Sequence, residues 1–249
     1  MKRPFVGSRI IQLDSVDSTN NFAAKQLSEG ELTDGTVIMA SFQSSGKGQR
    51  GSNWQSLVGL NLLCSIVLLP KSLKAEQQFY LSKVISIAIA EVLHEIGVQK
   101  TSIKWPNDIL ADKSKIAGIL IENSIRQDKL ESSIIGIGLN VNQKNFSDLN
   151  ASSVLLETGR YHPVQELATQ LFKRIDTCYG FLLEQQFELI NQRYNALLFG
   201  QEKRHSYQIG GEKRSCIIDR VGVSGELFLE CENEILGPFG VRDIELLRD

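Results

Sequence analysis

Histidine and cysteine are scarce in this chain, with three and four among 249 residues, and neither set shows ligand spacing. His94, His162 and His205 stand apart, and Cys64, Cys178, Cys216 and Cys231 form no Cys-x-x-Cys pair. That spacing argues against a zinc site. The same scatter implies reduced cysteines, with Cys64 a buried thiol inside an apolar stretch, and chemistry that does not run on thiols. An excess of charge of one sign is also lacking. A net charge of −2 gives no global electrostatic attraction for nucleic acid. No apolar run approaches the ~18–20 residues of a membrane-spanning helix. The basic start, Met1 to Phe5, leads into no hydrophobic segment or cleavage site, so no secretory signal is expected. What remains is an ordinary globular composition, 42% hydrophobic and 22% charged. The length suits one large domain, or a main domain with a small appendage. The expected location is the cytoplasm.

Periodicity and punctuation divide the chain. Asp17-Ser18-Thr19-Asn20 is a cluster of helix-capping residues ahead of the stripe Phe22, Ala23, Gln26 and Leu27. It predicts a helix over 19–29 whose N-terminus is a natural anion or polar-ligand site. Gly30 and Asp34-Gly35 then turn the chain into an apolar strand at 36–42. A second apolar strand spans 60–69 and ends at Pro70. Between Glu76 and Ile96, Leu81, Val84, Ile85, Ala88, Ile89, Val92 and Leu93 recur at steps of three and four, and Gly97 closes the run. This is a core helix. Strands are predicted at 101–105, 109–111, 115–122 and 132–141, then helices at 164–183 and 187–199. Gly200 marks the expected boundary between a domain at 1–200 and another at 201–249. Beyond it, short β-like runs at 206–209, 214–221, 226–231, 234–236 and 244–247 predict a small β-barrel.

Four segments carry chemistry. Gln43-Ser-Ser-Gly46-Lys47-Gly48-Gln49-Arg50-Gly51-Ser52-Asn53-Trp54 joins two apolar strands but is too long for a hairpin turn. Its glycines allow backbone N–H groups to approach an anion, its cations add charge, and Trp54 offers a flat face. A solvated hairpin loop is the plain alternative. Lys104-Trp105-Pro106-Asn107-Asp108 follows a strand, and its oxygen donors suit Mg²⁺ held with substrate phosphates; an ordinary strand-end turn reads equally well. In Lys115-Ile-Ala-Gly118-Ile-Leu-Ile-Glu122 a lysine opens an apolar strand, either as an edge residue or as a cation held for a ligand. Gly136-Ile-Gly138-Leu-Asn140-Val-Asn142 places two glycines in a strand, which means close approach by a partner or a bulge.

In this order, Ser18-Thr19-Asn20 and the four segments resemble the motif series of biotin–protein ligases, over roughly residues 10–145. The resemblance implies an α+β fold. A mixed β-sheet catalytic domain flanked by helices, of the class II synthetase and lipoate-ligase kind, would precede a small C-terminal SH3-like β-barrel. It also implies an ATP-dependent ligase that forms biotinyl-5′-AMP and transfers biotin to a lysine of a carboxylase's biotin carboxyl carrier domain. The implied ligands are biotin, ATP and Mg²⁺, and a homodimer is compatible with the family. Carried over by residue, Ser18, Thr19, Asn20, Gln43, Gly46, Lys47, Gly48, Gln49, Lys115 and Gly118 would form the biotin site. Arg50, Trp54, Lys104, Asn107, Asp108 and Asn140 would hold the nucleotide, with Asp108 also toward magnesium. Lys115, Arg50 and Lys47 would stabilise charge during catalysis. Trp105 and the rest of 116–120 read as core.

One departure stands out. Many members carry arginine where Lys47, Gln49 and Ser52 stand here, and an amide at 49 cannot clamp an adenylate as a guanidinium can. The rivals are a lipoate–protein ligase, a biotin-sensing repressor and a non-catalytic biotin-binding module. A repressor is disfavoured by the charge and by a motif series that starts at residue 18. A non-catalytic module is disfavoured by the retention of Asn107, Asp108 and Lys115.

Overall fold

The computed structural model describes residues 5–146, 150–201, 203–232 and 234–247, with Arg50 described by its backbone alone. Seven strands form the large sheet: β1 (Arg9–Val16), β2 (Thr36–Gln43), β3 (Leu62–Leu68), β4 (Thr101–Lys104), β5 (Asp108–Ala111), β6 (Ser114–Arg126) and β7 (Lys129–Leu139). Their order is β1-β2-β3-β7-β6-β5-β4. Only β1 and β2 run parallel; the other neighbours are antiparallel. The central strand β3 is buried on both faces, as an unbroken apolar run requires.

Period-two alternation gives the sheet two unlike faces. Val37, Met39, Ile66, Leu68, Ile135, Ile137 and Leu139 point into the main core. There they meet α2 (Phe79–Glu95), α4 (Val164–Leu183) and α5 (Phe187–Ala196). Ile38, Val67 and Ile134 point the other way, against Ala23 and Leu27 of α1 (Thr19–Ser28). That second face is covered by α1 over one part only, and Gly136 and Gly138 lie on it. α3 (Val154–Thr158) is a short helix capped by Ser153. Neither β1 nor α3 is evident in the sequence. β1 is an edge strand whose side chains are mostly exposed, and α3 has only five residues.

Among the described residues the core holds one lysine. Lys83 is 2% exposed, donates to Asn191 Oδ1 at 2.8 Å, and lies over the rings of Tyr80 and Tyr194 at 4.9 and 5.4 Å. Burial pulls its pKa from 10.5 down to about 8. Because the folded value is the lower one, the unfolded chain binds more protons between these pH values, and stability rises with pH across that window. Below pH 8 a shift of this size costs roughly 3 kcal/mol, partly offset by the ring contacts. Lys83→Met is therefore expected to gain on the order of 1 kcal/mol at pH 7 and to lose the rise toward pH 10. Denaturant unfolding at both pH values checks this.

The C-terminal region forms a second, antiparallel sheet of five strands: β8 (His205–Ile209), β9 (Glu212–Val221), β10 (Leu227–Cys231), β11 (Glu234–Phe239) and β12 (Ile244–Leu246). It rests on the large sheet at two places. In the segment that leads into it, Leu197 O accepts from Ile103 N–H at 2.7 Å and Phe199 N–H donates to Ile103 O at 2.8 Å, and within it Gly225 O accepts from Trp105 Nε1 at 2.9 Å. Trp105 is thus more than core packing. The expectation of four reduced cysteines fails here. Cys216 and Cys231 face each other across the β9–β10 ladder with Cα atoms 4.4 Å apart, and they form a disulfide. Residues 15 apart in the chain are brought opposite each other by the hairpin, which spacing alone does not reveal. Cys64 and Cys178 are free and buried, and burial pushes their thiols up to about 12 and 11. Among the described residues no helix is long and apolar enough to cross a membrane.

Candidate active site

On the partly open face of the large sheet, the start of α1, the end of β2 and the middles of β6 and β7 surround a narrow cavity of about 460 Å³ with the open solvent at its mouth included. Ser18, Thr19 and Asn20 are buried against it. Ser18 is the N-cap of α1, and its side chain makes no capping hydrogen bond. Gln43 Oε1 accepts from Thr19 N–H at 2.7 Å and from Thr19 Oγ1 at 2.9 Å. Ser65 Oγ, from β3, lies 2.7 Å from Thr19 Oγ1 and 2.6 Å from Asn20 Oδ1; its single proton serves one of them at a time. Asn20 Nδ2 donates to Glu122 Oε2 at 2.6 Å, which turns the amide oxygen toward Ser65. The outcome is a polar end wall with both donors and acceptors, suited to a small polar ring.

The glycine-rich segment is an ordered tongue rather than an open loop. Trp54 N–H donates to Gly46 O at 2.8 Å and Gly48 N–H to Ser52 O at 2.7 Å. Lys47 pairs with Asn53, and a single 3-10 turn covers Gln49–Gly51. Gly46 allows the fold-back, because a Cβ there would lie 2.8 Å from Trp54 O and 2.9 Å from Gln43 Nε2. The return lays the Trp54 indole on the sheet. A Cβ on Gly118 would come within 3.0 Å of that ring, and one on Gly138 would lie 2.4 Å from its Cε2. Gly136 makes the same kind of room for Asn20, whose Oδ1 would be 2.6 Å from an added Cβ. The two glycines of β7 therefore mark close approach and not a bulge.

A bulge does occur one strand away, and it places Lys115. Ile109 faces Ala117 across the β5–β6 ladder, but Leu110 faces Lys115, so Ile116 is an extra residue. Regular alternation would send Lys115 inward with Ala117. Instead Ile116 and Ala117 both pack into the core, and Lys115 emerges beside Gly118 on the cavity face. Its Nζ lies 2.6 Å from Asp108 Oδ1 and 5.4 Å from the centre of the Trp54 ring. Two wider spaces adjoin. One, of about 1510 Å³, shares Trp54 and Lys115 with the polar cavity and is also lined by Lys104, Asp108, Lys113 and Asn140. The other, of about 1090 Å³, runs between the Lys104–Asp108 turn and the C-terminal sheet.

The polar cavity brings together Ser18, Thr19, Asn20, Gln43, Lys47, Gly48, Gln49, Trp54, Asn107, Lys115 and Gly118. Lys104, Asp108 and Asn140 line the larger space beside it, and Gly46 lies buried within the tongue. Asn107 Nδ2 donates to Ile119 O at 2.7 Å and Asn140 Nδ2 to Ser152 O at 3.0 Å, so both amides tie backbone segments together. The side chain of Arg50 lies outside the described residues. Sequence reasoning assigned no role to Ser65 or Glu122. Ser65 sits in an apolar strand with no motif around it. Glu122 ends the Lys115 segment, and only the fold shows that it meets Asn20.

A resident magnesium ion does not fit these residues. The carboxylate of Asp108 is already engaged by the Lys115 ammonium. Among the described residues no group of three acidic, histidine or cysteine side chains converges. Magnesium commonly keeps its waters and reaches such sites on substrate phosphates.

Bifunctional ligase/repressor BirA of Bacillus subtilis is 33% identical over 144 residues, which are 58% of this chain and 44% of that protein. Biotin–[acetyl-CoA-carboxylase] ligase of Mycobacterium tuberculosis is 30% identical over 178 residues, 68% of this chain and 65% of that one. The chain thus spans less than half the length of the first relative. The biotin protein ligase of Aquifex aeolicus, solved with biotin and ATP, superposes with a TM-score of 0.79 at 27% identity, covering 97% of this chain and 99% of that one. The profile of one family matches residues 13–140, the stretch that holds the tongue, the bulge and the glycine floor, and the chain belongs to that family, the Biotin/lipoate A/B protein ligases.

Proposed function

We propose that the chain is a biotin–protein ligase that activates biotin with ATP and transfers it to a lysine of a biotin carboxyl carrier domain. The carrying observation is Lys115, held by Asp108 between the polar cavity and the wider space lined by Lys104 and Lys113. The biotin carboxylate oxygen attacks the α-phosphorus of ATP. The bond to the β-phosphate breaks, and pyrophosphate leaves with the electron pair. The amine nitrogen of the acceptor then attacks the acyl carbon. The C–N bond forms, the C–O bond to AMP breaks, and the amine proton passes to solvent.

Ser18, Thr19, Asn20 and Gln43 receive the ureido ring, with Ser65 and Glu122 orienting them. Gly118 and Trp54 flank the reacting carboxylate. Lys115, with Lys47 and Arg50 from the tongue, neutralises the charge that builds up between two anions. Lys104 reaches the phosphates, Asn107 and Asn140 shape the nucleotide space, and magnesium arrives bound to ATP. The net charge of −2 favours this reaction without DNA binding. ATP- and biotin-dependent labelling of a carrier domain tests the reading. Adenylation with lipoate but not biotin would overturn it, since a dithiolane ring would leave the polar end wall unpaired.

Gln49 lines both the polar cavity and the cleft beside it. Its amide replaces a bidentate cation, so the adenylate is held less firmly. Gln49→Arg is expected to slow release of biotinyl-AMP by roughly tenfold, about one charge-assisted hydrogen bond. Trapping released adenylate over time measures it, and equal or faster release counts against the assignment.

A further inference from the structure

The disulfide of the C-terminal sheet encloses the turn by which that sheet is fastened beside the site. Cys216 lies in the middle of β9 and Cys231 is the last residue of β10. Their bond spans 15 residues of chain, and the tip of that hairpin is the turn Gly222–Gly225. Gly222 N–H donates to Glu226 O at 2.8 Å and Gly225 N–H to Gly222 O at 3.2 Å. Gly225 packs so closely on Phe79 of α2 that a Cβ there would lie 2.4 Å from the ring. Its carbonyl accepts the Trp105 indole N–H at 2.9 Å. Three residues further along, Asp108 holds the Lys115 ammonium at 2.6 Å. One covalent bond therefore stands at the root of a hairpin whose tip braces the Lys104–Asp108 turn.

Cross-linking residues at this spacing favours the closed hairpin over its open form by roughly 100-fold. In the cytoplasm, the location expected from the sequence, a disulfide is uncommon and is as a rule transient or redox-sensing. We propose that the Cys216–Cys231 pair is a redox switch on adenylate formation. As a disulfide it holds the 222–225 turn against Phe79 and Trp105; as two thiols it releases the turn and slackens the Asp108–Lys115 pair. The co-reactant is a dithiol reductant. Its first thiolate attacks one sulfur of the pair, and the S–S bond breaks with its electrons on the other cysteine. Its second thiolate then displaces the remaining cysteine. Two electrons and two protons pass to Cys216 and Cys231, and the reductant leaves as a disulfide. Both sulfurs are buried, but Cys231 ends its strand, where fraying of the hairpin admits the attack. Cys64 and Cys178, free and buried on β3 and α4, take no part. The inference rests on the ligase reading and adds control to the same site.

Dithiothreitol serves as the dithiol in the test, with the thiols of the folded protein counted by alkylation and located by peptide mass. The reduced protein is expected to be cut by protease within 216–231 about 100-fold faster than the disulfide form. Its biotin-dependent ATP–pyrophosphate exchange is expected to fall at least threefold, and re-oxidation should restore both properties. Cys216→Ala/Cys231→Ala should match the reduced protein and no longer respond to dithiothreitol. Equal exchange by the two forms, with both thiols counted in the reduced one, would overturn the proposal. So would a pair that dithiothreitol leaves intact in the folded protein, or a double variant whose exchange still falls on reduction. If the double variant does not fold, the two forms of the unsubstituted protein decide alone. Absence of exchange in both forms would instead sink the ligase reading, and the protease difference would survive it.

Discussion

Lys115→Ala is expected to lower biotin-dependent ATP–pyrophosphate exchange by roughly 10²–10³-fold, the usual loss when one preorganised charge stabiliser is removed from a developing anion. The reasoning starts from the ion pair. Lys115 is the cation shared by the polar cavity and the nucleotide-sized space, and Asp108 holds its ammonium at 2.6 Å. Alanine removes the positive charge and leaves the Asp108 carboxylate facing two incoming anions. The loss should therefore exceed that of a simple neutral deletion, and Lys115→Ala/Asp108→Ala should recover part of it. The fold should persist, because the Lys115 side chain is 36% exposed and its backbone bonds to Asn150 and Ser152 do not involve the ammonium. Lys115→Arg should rescue poorly, since a planar fork cannot replace a point charge in so short a reach. Exchange within tenfold of the parent protein in Lys115→Ala would refute the central role given to this residue.

Gly138→Ala is the second large effect. An added methyl would lie 2.4 Å from Cε2 of the Trp54 ring, so either the indole or the strand must move. The strand is the stiffer partner, since Gly138 pairs with Leu63 on one side and Gly118 on the other in the middle of the sheet. Trp54 should therefore be expelled, taking with it the wall between the two spaces and the surface under Lys115. Adenylate formation should fall by about 10–100-fold, while overpacking costs about 1–3 kcal/mol of stability. Exchange assays, thermal unfolding and tryptophan fluorescence report the three consequences separately. An unchanged exchange rate would mean that the ring's seat on the glycine floor has no part in the reaction.

The legibility of this molecule followed the strength of its local patterns. The helix at 79–95 was visible because seven apolar residues recur on one stripe. The strand pair around Gly136 and Gly138 was visible because glycine has few reasons to occur twice in a buried strand. Residues 18–20 announced themselves as a helix start, although Ser18 does not spend its side chain on capping. Features made by long-range pairing stayed hidden. Ser65 matters only because β3 runs beside α1, Glu122 because β6 brings it to Asn20, and Cys216 because a hairpin faces it with Cys231. Trp105 read as core because its ring is large and apolar, yet its indole N–H fastens the C-terminal sheet to the turn beside the site.

The extra residue at Ile116 sets the position of Lys115 by parity. Strict alternation back from Gly118 would put the lysine on the helix side; the bulge absorbs one residue and returns it to the cavity. Deleting Ile116 would leave a regular ladder with the lysine beside Ala117 and still on the cavity face, and would remove one core side chain. Straightening the bulge with every residue kept would instead turn the ammonium toward the helices. The irregularity of the ladder is as much a functional property as the identity of the lysine that opens the segment.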